Sequence, residues 1–175
     1  MNSAAHDKTA HSIHSTLREH IVEHIFVGNA LQWLWNRHVY DVEVLRSEFD
    51  AGGYDMVMSY KTTDRHIQFK TTLESGQAAS VKASLKLLNK RSGCIIWIFV
   101  TEKLDIKHYL WLGSPEKPFS KIGNVATAKH TKGNAGGTKT ERLQHRIIPK
   151  SEFLEVSSLE EVMYLLFEQL PGGQP

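Results

Sequence analysis

Two short runs decide how this chain is read: Gly53-Tyr54-Asp55-Met56-Val57-Met58-Ser59-Tyr60 and, after the polar Lys61 to Asp64, Arg65-His66-Ile67-Gln68-Phe69-Lys70-Thr71-Thr72. Both are strand-like, and the short polar connection between them makes a hairpin the natural inference. Side chains alternate along a strand, so His66, Gln68 and Lys70 share one face while Ile67 and Phe69 take the other. A connection of about two or four residues sets Asp55 opposite Gln68 or Lys70 on that same face. A carboxylate, an amide oxygen and an ammonium then converge beside Met56, Val57, Ile67 and Phe69. Polar groups placed near a core cost free energy unless they are paired. A plain Asp55–Lys70 cross-strand ion pair would fit the same register.

Upstream of the hairpin, Leu17, Ile21 and Ile25, with Val22, Phe26, Ala30 and Leu34 on an adjoining stripe, recur at helical spacing and predict a helix from about Ser15 to Trp35, capped by Ser15 or Thr16. Asp41 to Arg46 reads as a strand leading into the Gly52-Gly53 turn. Downstream, Val81, Leu85 and Leu88 predict a helix within Gly76 to Leu88. Gly93 then opens the run Ile95-Ile96-Trp97-Ile98-Phe99-Val100, a buried central strand by composition. Tyr109 to Leu112 and Phe153 to Val156 are expected as edge strands, and Leu159 to Leu166 as a closing amphipathic helix. Residues 1–12 read as a disordered leader and 13–170 as one domain, within which 121–150 forms a basic, Gly-rich loop.

The whole composition fits a globular chain. Of 175 residues, 41% are hydrophobic and 23% charged, which argues against a disordered or fibrous protein. The longest apolar run, Cys94 to Val100, is far below the roughly 20 residues a membrane helix needs. The lone Cys94 cannot form an intramolecular disulfide, and a reducing, cytoplasmic setting is expected. Net charge is only +2, but it is unevenly placed: residues 121–150 hold seven Lys/Arg against Glu141, and residues 151–175 hold five Glu with no Lys or Arg. Cations among Gly, Thr and Asn suit phosphate contact, so Lys129, Lys132, Lys139, Arg142 and Arg146 are the expected nucleic-acid-binding residues. A solvated loop would have the same composition.

The order of helix, three strands, helix and apolar strand, with Glu23 on the first helix, Asp55 entering the second strand and Gln68-Phe69-Lys70 on the third, resembles the core of the PD-(D/E)XK nuclease superfamily. That resemblance covers roughly residues 15 to 100. It implies an α/β fold with an αβββαβ restriction-endonuclease-like core, a mixed central sheet flanked by helices. It also implies hydrolysis of phosphodiester bonds, in DNA ahead of RNA, with Mg²⁺ or Mn²⁺. Carried over by position, it makes Glu23 (or Glu19), Asp55, Gln68 and Lys70 the catalytic set, with Asp55, Gln68 and Glu23 as metal ligands and the Phe69 carbonyl in support. Glu48 and Asp50 are possible helpers. Gln68 stands where the superfamily usually has an acid, as in its Q-x-K variants, and removes one negative charge from the site. The chain is also similar to small bacterial proteins carrying Arg65-His66-Ile67-Gln68-x-Lys70 with Ala128-Lys129-His130-Thr131-Lys132-Gly133-Asn134, a likeness that names no function. The expected partner is nucleic acid, a homodimer is allowed, and no membrane is expected.

Other readings claim some of the same residues. A nuclease-like domain that binds nucleic acid without cutting keeps the fold and is favoured by Gln68. His20-Ile21-Val22-Glu23-His24 matches H-x-x-E-H, the zinc-peptidase arrangement, though no persuasive third ligand follows. Gly133 to Thr140 fails the G-x-x-x-x-G-K-[ST] template because Thr138 stands at the second Gly. Trp33 and Trp35 are better placed to pack than to stack on bases.

Overall fold

A computed structural model of the chain describes residues 13–49, 51–113, 125–129 and 141–171. The leader at 1–12, Asp50, Lys121, Lys132, Lys139 and the stretch 133–140 lie outside them.

Helix α1 (Ser15–Trp35) buries Val22, Phe26, Ala30 and Leu34, each one turn after the last, so a single side of the helix meets the sheet. His14 occupies the N-cap position without a side-chain bond, where Ser15 or Thr16 was expected. The helix ends on a left-handed His38 (φ +59°), with Val39 N–H donating to the Leu34 carbonyl at 3.1 Å and His38 N–H to Trp35 at 3.0 Å. That pairing is a Schellman cap with histidine in the position glycine usually takes.

Strands β1 (Val42–Arg46), β2 (Met56–Tyr60) and β3 (Thr63–Leu73) follow as an antiparallel meander. The β2–β3 turn is Lys61-Thr62, and Lys61 takes φ +53° to make it. Next come β4 (Ser80–Ser84) and the single-turn helix α2 (Leu85–Leu88), whose first turn is capped by Ser84 Oγ accepting from Lys86 N–H at 3.2 Å. The longer helix expected within Gly76 to Leu88 does not form. Val81 and Ala83 also alternate, and pairing with the later strand β8 (Glu141–Pro149) satisfies their backbone better than one more helical turn.

Strand β5 (Gly93–Val100) is buried at every position and runs parallel to β3. Strand β6 (Ile106–Gly113) pairs antiparallel with β5. It is longer than expected and internal, because β9 (Leu154–Val156) closes the sheet outside it. The six-stranded mixed sheet has the order β1-β2-β3-β5-β6-β9, and β7 (Thr127–Lys129) joins β4 and β8 in a second sheet of order β4-β8-β7. Part of the segment expected as a basic loop is therefore strand. Helix α3 (Leu159–Leu166) starts on a Ser158 N-cap, its Oγ accepting from Glu161 N–H at 3.2 Å and donating to the Glu161 carboxylate at 3.0 Å.

Helices α1 and α3 cover one face of the large sheet, over Ile67, Phe69, Ile96 and Ile98. On the other face Ala83, Leu87 and Ile148 pack against Ile95, while Val81 and Phe153 pack against Trp97 and Phe99. That covering sits over β5 and β6. Leu45, Val57, Glu43 and Ser59, which share this second face on β1 and β2, are not buried.

Candidate active site

The register of β2 and β3 builds the site. Met56 faces Ile67 and Tyr60 faces Thr63, so Asp55, one residue before β2, lies across from Gln68. Its N–H extends the ladder to the Ile67 carbonyl at 2.8 Å. Beyond that rung β3 runs on to Leu73 while β2 has ended, which leaves the Phe69 N–H without a strand partner on that side. The Asp55 carboxylate takes its place, accepting from Phe69 N–H at 2.7 Å. One oxygen of Asp55 is thereby fixed at the point where the two strands part.

Ile67 and Phe69 turn toward α1, where Phe69 meets Phe26 with ring centroids 5.1 Å apart. Gln68 and Lys70 turn the other way, as strand alternation requires. Gln68 is 8% exposed, and among the described residues its Oε1 has no hydrogen-bond donor. A buried amide oxygen left without a donor is rare in folded proteins and points to a missing partner. Lys70 is half-buried, and among the described residues its ammonium makes no hydrogen bond or ion pair.

Glu23 comes from the opposite face of the sheet. It is buried on α1 and ion-paired with Arg46, which shares the helix-facing side of β1 with Val42 and Val44. Glu23, Arg46 and Asp55 line one cavity of about 290 Å³ together with His20, Ser47 and Tyr54. Gln68 and Lys70 are not among its lining residues. Asp55 is thus the residue common to the cavity and to the Gln68–Lys70 face. Glu19 and Glu48 are exposed. A larger cavity of about 400 Å³, lined by Glu74, Thr101, Glu102 and Asp105 among others, shares no residue with this site.

The donor set suits a hard cation. Asp55 supplies a carboxylate and Gln68 a carbonyl oxygen, and Mg²⁺ takes one or two such protein oxygens with water and substrate phosphate completing its shell. Among the described residues no three His, Cys, Asp or Glu side chains group as a metal site, so a cation here would rely on the amide. The H-x-x-E-H reading gains no support from the geometry: His24 Nδ1 is 2.6 Å from the His20 carbonyl, and Glu23 is turned to Arg46.

Three features near the site had no reading from sequence. Arg46 as the partner of Glu23 follows from β1 alternation once α1 is placed over that face. Tyr54 packs edge-on against His66 at 4.8 Å, and Lys90 lies over the Tyr54 ring. His66 Nδ1 lies 2.9 Å from Ser92 Oγ, and burial, then the nearby Lys90, pulls the imidazole below its ordinary pKa. Of the basic residues, Lys129 is exposed on β7, while Arg146 on β8 donates to the Leu143 and His145 carbonyls at 2.9 and 3.2 Å. Arg142 Nη2 lies 3.4 Å from His145 Nε2. Among the described residues no helix is long and apolar enough to cross a membrane. No protein-family model, no curated protein and no solved structure matches the chain.

Proposed function

We propose that this chain is a metal-dependent nuclease of the PD-(D/E)XK type, with glutamine at the usual acidic position, hydrolysing phosphodiester bonds in nucleic acid and in DNA ahead of RNA. The observation that carries the reading is Gln68 Oε1, buried and without a donor among the described residues, across the ladder from an Asp55 carboxylate already oriented by Phe69 N–H. In this reading α1, β1 to β3, α2 and β5 are the αβββαβ core, its second helix reduced to one turn.

Asp55 and Gln68 would hold Mg²⁺ or Mn²⁺, with the Phe69 carbonyl in support and Glu23 joining if Arg46 releases it. Such a cation neutralises charge on the scissile phosphate and makes water nucleophilic near neutral pH. Lys70, a compact cation with three donors, holds the attacking water and stabilises negative charge growing on the phosphate oxygens. Lys129, Lys132, Lys139, Arg142 and Arg146 position the backbone of the nucleic acid. A second reading, binding without cutting, is favoured by the Glu23–Arg46 pair and the uncharged Gln68, which together lower the negative charge available to a cation.

The test is Mg²⁺- and Mn²⁺-dependent cleavage of single-stranded, double-stranded and branched substrates. Wild type is expected to cut, and Asp55→Asn and Lys70→Ala to lose about 100-fold or more in rate while still binding. Asparagine keeps an acceptor for Phe69 N–H, so Asp55→Asn separates lost chemistry from lost structure. Cleavage gained only by Gln68→Glu would identify the silent binding module. Absence of both binding and cleavage in every variant would reject the two readings together.

A further inference from the structure

Helix α1 is apolar on two opposite sides. Its inner side is buried, but Leu17, Ile21, Leu31 and Trp35 lie on the outer side with His24 and Gly28 between them, and all six are exposed, Leu17 by 59% and Trp35 by 67%. Their spacing of four, three, four, three and four residues is the seam of a two-helix coiled coil. No Lys, Arg, Asp or Glu interrupts it. An apolar stripe on a helix is normally buried, and here the outer one has no cover among the described residues.

The spacing of the seam is the same in either direction. Leu17 and Trp35, Ile21 and Leu31, and His24 and Gly28 are each placed symmetrically about Phe26. An antiparallel copy of the helix would set Leu17 against Trp35, Ile21 against Leu31 and His24 against Gly28. A two-fold interface requires that self-complementarity, because one patch must fit itself. Gly28 supports the fit. A Cβ built there meets nothing within 4 Å, so nothing within the described fold calls for a glycine that costs a helix interior about 1 kcal/mol. Against a second copy its missing side chain leaves a notch for His24. The exposed parts of Leu17, Ile21, Leu31 and Trp35, with Ile13 and Tyr40 at the two ends, come to roughly 700 Å², close to the ~800 Å² per partner of a standard-size interface.

We infer that the outer face of α1 is the two-fold interface of a homodimer, two α1 helices packing antiparallel about Phe26 with His24 of each seated over Gly28 of the other. This stands independently of the cleavage reading. His20 and Glu23 put each cavity beside the seam, so the C-terminal end of the second copy's α1 would flank it.

Sedimentation or light scattering of the full chain at about 50 µM, above the micromolar dissociation constant expected of the weakest interfaces of this size, reads the outcome directly. The expected mass is twice the 19.9 kDa of one chain. Gly28→Arg, which meets open space within one copy, and Leu31→Asp should each return the mass to one chain with an unchanged circular dichroism spectrum. An equimolar mixture of His24→Cys and Gly28→Cys should oxidise to a cross-linked dimer that neither variant forms alone. A monomeric wild type overturns the inference, as does a dimer that survives Gly28→Arg and Leu31→Asp. Cross-linking of His24→Cys with itself would overturn the antiparallel arrangement.

Discussion

A buried carbonyl oxygen without a donor costs about 1–3 kcal/mol, and among the described residues Gln68 keeps such an oxygen across from Asp55. Methionine has nearly the same length and no acceptor to desolvate. Gln68→Met is therefore expected to raise stability by about 1 kcal/mol in the absence of divalent cations, read as a shift of the urea midpoint, while removing the proposed cleavage. A lower midpoint would mean that the oxygen is satisfied in solution, and the argument for a cation would fall with it. Asp55 differs because its carboxylate already serves the fold through Phe69 N–H. That Asp55 faces Gln68 or Lys70 was legible in the sequence because strand parity and a short turn allow few registers, and the two-residue turn decided for Gln68. The orphaned oxygen was not, since burial of Gln68 depends on segments that arrive from elsewhere in the chain.

Among the elements, the turn before β2 sets where Asp55 stands. Gly53 takes φ +74°, and a Cβ added there would lie 2.5 Å from Ser84 Cβ at the end of β4. Gly53→Ala is expected to cost about 1–3 kcal/mol through backbone strain and that contact. It should also lower the proposed cleavage, because the turn and the carboxylate move together. Thermal unfolding and a cleavage rate on the same preparation check this; a loss of stability with full activity would separate the turn from the site. Helices α1 and α3 could be read from apolar spacing because each buries a continuous stripe. Strands β4 and β8 could not, because each is held by the other across a long separation in sequence, and local spacing at Val81, Leu85 and Leu88 favours helix.

Across the whole molecule, the interleaving of β5 between β3 and β6 buries groups that titrate in the unfolded chain. Burial pushes the Cys94 thiol up from its ordinary 9 to about 12, and the Tyr109 hydroxyl from 10 to about 12. Both are held protonated in the fold, so the stability they contribute is complete below pH 9 and is lost as pH rises toward 12. His66 runs the other way. Its pKa is lowered by burial and then by Lys90, so its contribution is present above 6.5 and lost as pH falls. Urea midpoints across pH should form a plateau that declines on both sides. A flat alkaline limb would mean that water reaches Cys94 in the native state. The fully buried Arg65 ties the hairpin to the end of α3, donating to the Leu166 carbonyl at 2.6 Å and to Leu165 at 3.3 Å, a link that nothing in its neighbouring residues announces.

By itself the sequence determined what local periodicity can determine: the span of α1, the β2–β3 hairpin, the buried strand β5, the closing helix α3 and the shared face of Gln68 and Lys70. Those features depend on residues close in the chain, where the 3.6-residue and two-residue periods separate buried from exposed positions. Only the tertiary structure decided that β4 is a strand, that β6 is internal, that Arg46 holds Glu23, and that Gln68 is left without a donor among the described residues. Each of these is a pairing between distant segments, and a backbone or side-chain group accepts such a partner only when the rest of the chain has brought it there.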